Sequence, residues 1–130
     1  MRLLLDTQIF LWYISAAPQL PGKFHDAIRD PANEVYLSVA SVWEAVIKHA
    51  LGKLHLPESP ADYLPRQRDA HQIETLPIEE AALAHLAWLP PLHRDPFDRV
   101  LVAQAAQHRL TLVTVDDAVR AYPVVVLPTT

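Results

Sequence analysis

Short apolar runs alternate with stretches of helical periodicity along all 130 residues, and that alternation is the strongest constraint on what this chain can fold into. Leu3-Leu4-Leu5 is apolar without a break, as a strand covered on both faces must be. Val35-Tyr36-Leu37, Ile73 to Leu76, Leu110 to Val115 and Val124 to Leu127 read as further strands. Between them lie helical patterns. Ile9, Phe10, Trp12, Tyr13 and Ile14 make a helix from about Gln8 that Pro18, Pro21 and Gly22 end, and Lys23 to Arg29 forms a second. Ser38 to Leu51 has amphipathic spacing and stops at Gly52. Three prolines between Leu56 and Gln72 leave room for a loop and a modest helix. Pro77-Ile78-Glu79-Glu80 opens a helix that Pro90-Pro91 closes. Asp95-Pro96 starts one that reaches about His108, and Asp116-Asp117 starts a short last one. Strands joined through helices pair in parallel, so the expected class is α/β, a short parallel sheet flanked by helices on both faces.

Length allows one domain, residues 1–130, with a single core. With 51% hydrophobic and 20% charged residues and a mean hydropathy of +0.08, the composition is that of a globular protein. The absence of cysteine removes disulfides, thiolate metal sites and a cysteine nucleophile. Asp6 interrupts the apolar amino terminus and no cleavage site follows, so the start reads as mature protein. No run approaches the roughly 18 apolar residues of a membrane span, which makes a soluble, cytoplasmic protein the expectation. A formal charge of −4 argues against gripping nucleic acid by bulk positive potential, so any such contact is local.

The chemistry-bearing positions are acidic. Asp6 follows the first strand and Asp116 the strand near the carboxyl end, at the rim where a parallel sheet opens its ligand crevice. Glu44 and Asp98 lie in the early turns of their helices. Carboxylates gathered in one cleft repel and partly hold protons unless a cation neutralises them, and hard oxygen ligands favour Mg²⁺ or Mn²⁺. Each acid also has a purely structural reading. Asp6, Asp116 and Asp95 are helix-capping residues, Glu44 pairs with Lys48 at i,i+4, Asp98 complements a helix dipole, and Thr7 and Thr114 are hydroxyls near strand ends. The seven histidines show no zinc-site spacing and read as solvated or core-edge residues. Two glycines and no phosphate-binding loop argue against nucleotide chemistry. Trp12, Trp43 and Trp88 fall on apolar helix faces and read as core.

Four segments together resemble the PIN-domain ribonucleases, and most closely the VapC-type toxins of toxin-antitoxin pairs: LLLDT at Leu3, SVASVWEAVIKHALGKL from Ser38, HRDPFDRVLVAQAA from His93, and LVTVD from Leu112. The resemblance spans nearly the whole chain, and its third segment is the most specific. It implies a PIN fold and a metal-dependent endoribonuclease with an acidic site at Asp6, Glu44, Asp98 and Asp116, supported by Thr114 and Asp95. It further implies Mg²⁺ or Mn²⁺ as cofactor, an RNA substrate, a cognate antitoxin across the acidic site, and a homodimer. Arg94, Arg99 and Lys48 are candidates for pairing substrate phosphates, with surface ion pairs as the plain alternative.

Two other classes compete. A receiver-like Mg²⁺-binding signalling module needs an acceptor aspartate after a central strand and a lysine after a late one, whereas Ser38 follows the middle strand and no lysine occurs beyond Lys53. A catalytically inactive PIN-like binding domain is opposed by the complete acid quartet.

Overall fold

The structure is a computed structural model describing residues 1–130. The expected runs form four strands, β1 (Arg2–Leu5), β2 (Glu34–Ser38), β3 (Glu74–Leu76) and β4 (Thr111–Val113). All pair in parallel in the order β3-β2-β1-β4, with Leu4 opposite Tyr36 on one side and Leu112 on the other. Seven helices connect and flank them: α1 (Thr7–Ile14), α2 (Gly22–Arg29), α3 (Val39–Ala50), α4 (Pro60–Ala70), α5 (Glu80–Trp88), α6 (Pro96–His108) and α7 (Asp117–Arg120).

Side-chain alternation along β1 splits the core into an apolar layer on each face of the sheet. Leu3 and Leu5 face Ile9, Phe10, Phe24 and Leu64, while Leu4 faces Leu101, Val102 and Val119 on the opposite side. A strand with an apolar layer on each face needs uninterrupted leucine, which is why that run carries no polar position before Asp6. The two layers confirm a sheet covered by helices on both faces.

Local chemistry sets the element ends. Asp6, Ser38, Asp95 and Asp116 each cap the helix that follows by accepting from its free backbone N–H groups. Gly52 adopts φ +71°, a left-handed turn that reverses the chain after α3 and that glycine enters without steric cost. Three sequence expectations need correction. Val124 to Leu127 is no strand but a single parallel bridge between Val126 and Leu112, with Pro123 and Pro128, which have no N–H to donate to a ladder, at its ends. Pro77 and Ile78 precede α5 without joining it. Of the three tryptophans, Trp12 packs on the core, but Trp43 and Trp88 are 54% and 88% exposed: α3 and α5 carry wider apolar faces than the core beneath them covers.

Candidate active site

The chain runs outward from β1 to β2 to β3 and then returns to the far side of β1 as β4. That reversal leaves a crevice at the carboxyl ends of β1 and β4, the place where open parallel sheets hold ligands. Asp6 ends β1, and Asp116 follows β4 by three residues. The backbone N–H of Asp6 donates to Val113 O at 3.0 Å, so the two strand ends are locked together. α3 and α6 deliver Glu44 and Asp98 to the same crevice, a cleft of about 530 Å³ lined by Asp6, Glu44, Asp95, Asp98 and Asp116 together with Thr7, Lys48, Lys53 and His93.

Each acid is held by specific donors. Thr114 Oγ1 donates to Asp6 Oδ2 at 2.6 Å, and Gln8 N donates to Asp6 Oδ1 at 3.3 Å. The Glu44 carboxylate takes Thr7 Oγ1 on Oε1 at 2.8 Å and Lys48 Nζ on Oε2 at 2.5 Å; Ser41 Oγ stands 2.8 Å from the Thr7 hydroxyl. Asp95 turns its Oδ1 to Phe97 N and Asp98 N, at 2.9 and 3.2 Å. Asp116 Oδ1 accepts from Ala118 N at 2.9 Å, and Asp116 N donates to Thr114 Oγ1. The capping readings are therefore correct for Asp6, Asp95 and Asp116, and capping uses one oxygen of each. Asp95 and Asp116 keep their second oxygen for other chemistry, whereas the second oxygen of Asp6 takes the Thr114 hydroxyl and has one lone pair left.

Electrostatics reflect the crowding. Burial pushes the Asp98 carboxyl up to about 7, helped by the charges of Asp6 and Asp95 and opposed by the hydrogen bond from His93. Burial also raises Asp6, against hydrogen bonds from Thr114 and Gln8, with Glu44 and Asp116 adding repulsion. Lys48 is raised by its hydrogen bond to Glu44. A site that holds protons to keep its charge down is one a divalent cation suits, because the cation supplies the missing positive charge. Donor atoms fit as well: His93 Nε2 and carboxylate oxygens of Asp98 and Asp116 lie within 4.8 Å of one another.

The candidate residues separate by position. Asp6, Glu44, Asp98, Asp116, Asp95 and Lys48 come together in the cleft, and Thr114 lies directly behind Asp6. Arg94 is exposed in the loop before α6. Arg99 does not line the cleft. Its guanidinium reaches Pro90 O at 3.0 Å, Leu86 O at 3.5 Å and Tyr122 Oη at 3.1 Å, one helical step away from Asp98 and facing the α5–α6 connection. Two cleft residues escaped sequence reasoning. His93 has no histidine neighbour at zinc spacing; its usable signal is its place five residues before Asp98, to which its Nε2 lies 2.9 Å away. Lys53 enters because Gly52 turns the chain back, donating its own N–H to Lys48 O at 2.8 Å.

A family profile described as PIN domain matches residues 3–125. Ribonuclease VapC16 of Mycobacterium tuberculosis is 38% identical over 58 residues, 45% of this chain and 41% of that protein, so this chain spans less than half the length of the curated relative it matches. Among solved structures, VapBC2 of Rickettsia felis bound to a promoter DNA fragment superposes with a TM-score of 0.72 at 17% identity, covering 98% of each chain. DNA-bound VapBC of Salmonella typhimurium gives 0.65 at 15% identity, covering 98% of this chain and 97% of that one. At these identities the structural likeness speaks to the fold.

Proposed function

This chain belongs to the PIN-domain family, and from that premise we propose that it is a metal-dependent endoribonuclease, the toxin of a type II toxin-antitoxin pair, cutting RNA phosphodiester bonds at Asp6, Glu44, Asp98 and Asp116. The observation that carries this reading is the convergence of those four acids, from four separate parts of the chain, into one cleft where Asp98 is raised to about 7. Its similarity over 58 residues to a ribonuclease supports the same reaction class.

The four carboxylates would hold one or two Mg²⁺ or Mn²⁺ ions, Asp6, Glu44 and Asp98 as ligands and Asp116 completing or orienting the set. A bound divalent cation there supplies Lewis acidity at a phosphodiester oxygen and lowers the proton affinity of water. The chain's own residues do the positioning. Thr114 fixes Asp6, while Thr7 and Lys48 take one oxygen each of Glu44, which leaves that carboxylate a single orientation. Asp95 caps α6 and so sets the first turn that carries Asp98; its charge also keeps Asp98 proton-hungry until a cation arrives. Lys48 and Lys53, which line the cleft, and the exposed Arg94 next to His93 would be the cations that pair with phosphates, which would reconcile a net charge of −4 with an RNA substrate. Arg99 serves the fold of the α5–α6 connection instead.

The 130 residues would work as one PIN domain. Its partners, in this reading, are a cognate antitoxin that covers the acidic cleft and a second copy of the chain. Support for the first comes from relatives solved as VapBC assemblies. Support for the second is the set of exposed apolar side chains on α3 and α5, including Trp43, Val46, Leu83 and Trp88. No helix is long and apolar enough to cross a membrane, in keeping with work in the cytoplasm.

The test is cleavage of total and transfer RNA by antitoxin-free protein with Mg²⁺ or Mn²⁺, beside an EDTA control. Asp98→Asn and Asp6→Asn should each lower cleavage at least about 10³-fold, since several kcal/mol of transition-state stabilisation depend on the cation they hold. Full activity in both variants, or in EDTA, would overturn the assignment.

A further inference from the structure

His93 is the one imidazole in the acidic cleft, and it is aimed at the acids. Its Nε2 lies 2.9 Å from Asp98 Oδ2 and 3.8 Å from Asp116 Oδ2. We infer that His93 is a nitrogen ligand of the divalent cation beside Asp98 and Asp116, so that this site is a mixed nitrogen and oxygen site and not an all-carboxylate one. This rests on the metal-dependent reading above and deepens it.

Two independent features carry the inference. The first is donor spacing: ligands on adjacent corners of an octahedron with bonds of about 2.1 Å stand about 3 Å apart. The His93–Asp98 pair already has that separation, and the Asp116 oxygen needs to move by less than about 1 Å, within reach of a side-chain rotation. The second is the framework behind the ring. His93 N donates to Tyr122 Oη at 3.0 Å, and Tyr122 is itself 3% exposed. Arg99 donates to the same Tyr122 oxygen at 3.1 Å and to Pro90 O at 3.0 Å, three residues upstream of His93. Two residues downstream, Asp95 anchors the chain at the start of α6. The backbone carrying His93 is thus tied on both sides, upstream by Tyr122 and Arg99, which do not line the acidic cleft, and downstream by the Asp95 cap. Outer groups that hold a ligand in place before the ion arrives are the mark of a built coordination site. Arg99 and Tyr122 acquire through this a role at one remove, as positioning residues for His93.

A neutral imidazole suits transition metals better than it suits Mg²⁺, which prefers oxygen throughout. The wild-type chain should therefore favour Mn²⁺ over Mg²⁺ by more than the carboxylates alone provide. His93→Gln should weaken Mn²⁺ binding at least about 10-fold and Mg²⁺ binding less, closing part of that gap.

The deciding measurement is pulsed electron paramagnetic resonance of Mn²⁺ bound to the full chain, which reads directly coordinated nitrogen without any turnover. Expected are ¹⁴N modulation in the wild type, its conversion to the ¹⁵N pattern when histidine is isotopically labelled, and its loss in His93→Gln at matched Mn²⁺ occupancy. The label alone tests for imidazole ligation should the variant melt early. Bound Mn²⁺ showing no nitrogen coupling, or coupling that persists in His93→Gln, overturns the inference while leaving metal dependence intact. If Mn²⁺ instead keeps the signal of the free aqueous ion in the wild type, the inference falls together with the metal-dependent reading itself.

Discussion

Thr114 Oγ1 reaches Asp6 Oδ2 across 2.6 Å, a bond between residues 108 positions apart in the chain. It joins the end of β1 to the segment just beyond β4, and both residues are buried. The same Thr114 oxygen accepts from Asp116 N at 3.1 Å, so one hydroxyl orients two of the four acids. Thr114→Val keeps the shape and removes both bonds. We expect it to lower stability by about 1.5–3 kcal/mol, the range for a hydrogen bond to a charged group, and to raise Asp6 further because a bond that held its pKa down is gone. Denaturant unfolding at pH 7 checks the first, and proton release on adding Mg²⁺ checks the second. Unchanged values in both would mean that the hydroxyl is incidental.

The raised Asp98 gives a pH dependence with a definite sign. Its carboxyl titrates at about 7 in the folded chain against an ordinary value of 3.8, so between those limits the folded state holds a proton that the unfolded state releases. Stability of the cation-free chain should then fall as pH rises from 3.8 to about 7 and level off above. Asp6, also raised, adds a contribution of the same sign. Thermal melts in EDTA across this range should show the decline, and Asp98→Asn should flatten it, since the amide carries no charge to repel Asp6. Saturating Mg²⁺ should reverse the slope by binding the ionised form. A melting temperature in EDTA that climbs steadily through the window would contradict the crowded-carboxylate picture.

Arginines on either side of Asp95 should behave differently from one another. Arg99→Ala loses hydrogen bonds to two carbonyls and to Tyr122, and should lower stability by about 1–3 kcal/mol. Its effect on the salt dependence of RNA binding should be negligible. Arg94→Ala should leave stability unchanged and reduce that salt slope by about one unit, as loss of a single phosphate contact does. Measuring both properties in both variants separates the roles, and an inverted pattern would exchange them.

Trp88, at 88% exposure, has no packing within the chain to lose. If a second copy covers α5, Trp88→Asp should give a monomer by sedimentation equilibrium with an unfolding free energy within about 0.5 kcal/mol of the wild-type monomer's. A wild-type chain that sediments as a monomer at tens of micromolar would remove the homodimer from the proposed function.

Most of the architecture was readable along the chain because it is encoded locally. Leu3-Leu4-Leu5 demanded a strand covered on both faces, and Asp6, Asp95 and Asp116 marked helix starts by a side-chain geometry that acts within three residues. Val124 to Leu127 meets the sheet at one bridge between flanking prolines, because a β-branched run does not by itself say how far its pairing extends. Trp43 and Trp88 were misjudged because an apolar helix face does not say whether its cover lies inside the chain.

For the candidate site the division is sharper. Residue types and their contexts pointed to four acids, whose mutual repulsion a divalent cation would relieve. The partners that give those acids their properties were another matter. Thr114 beside Asp6, Thr7 beside Glu44 and the imidazole of His93 against Asp98 are through-space neighbours; of these only His93 is close in sequence, and the loop between it and Asp98 takes its shape from Tyr122 and Arg99. Sequence by itself determined four of the strands, the aspartate caps and the inventory of acids, since each depends on a few consecutive residues. Only the tertiary structure decided which oxygens stay free, which carboxyl is pushed to about 7 and which nitrogen faces the acids, because burial, Coulomb repulsion and hydrogen bonding depend on distances that exist only once the chain has folded.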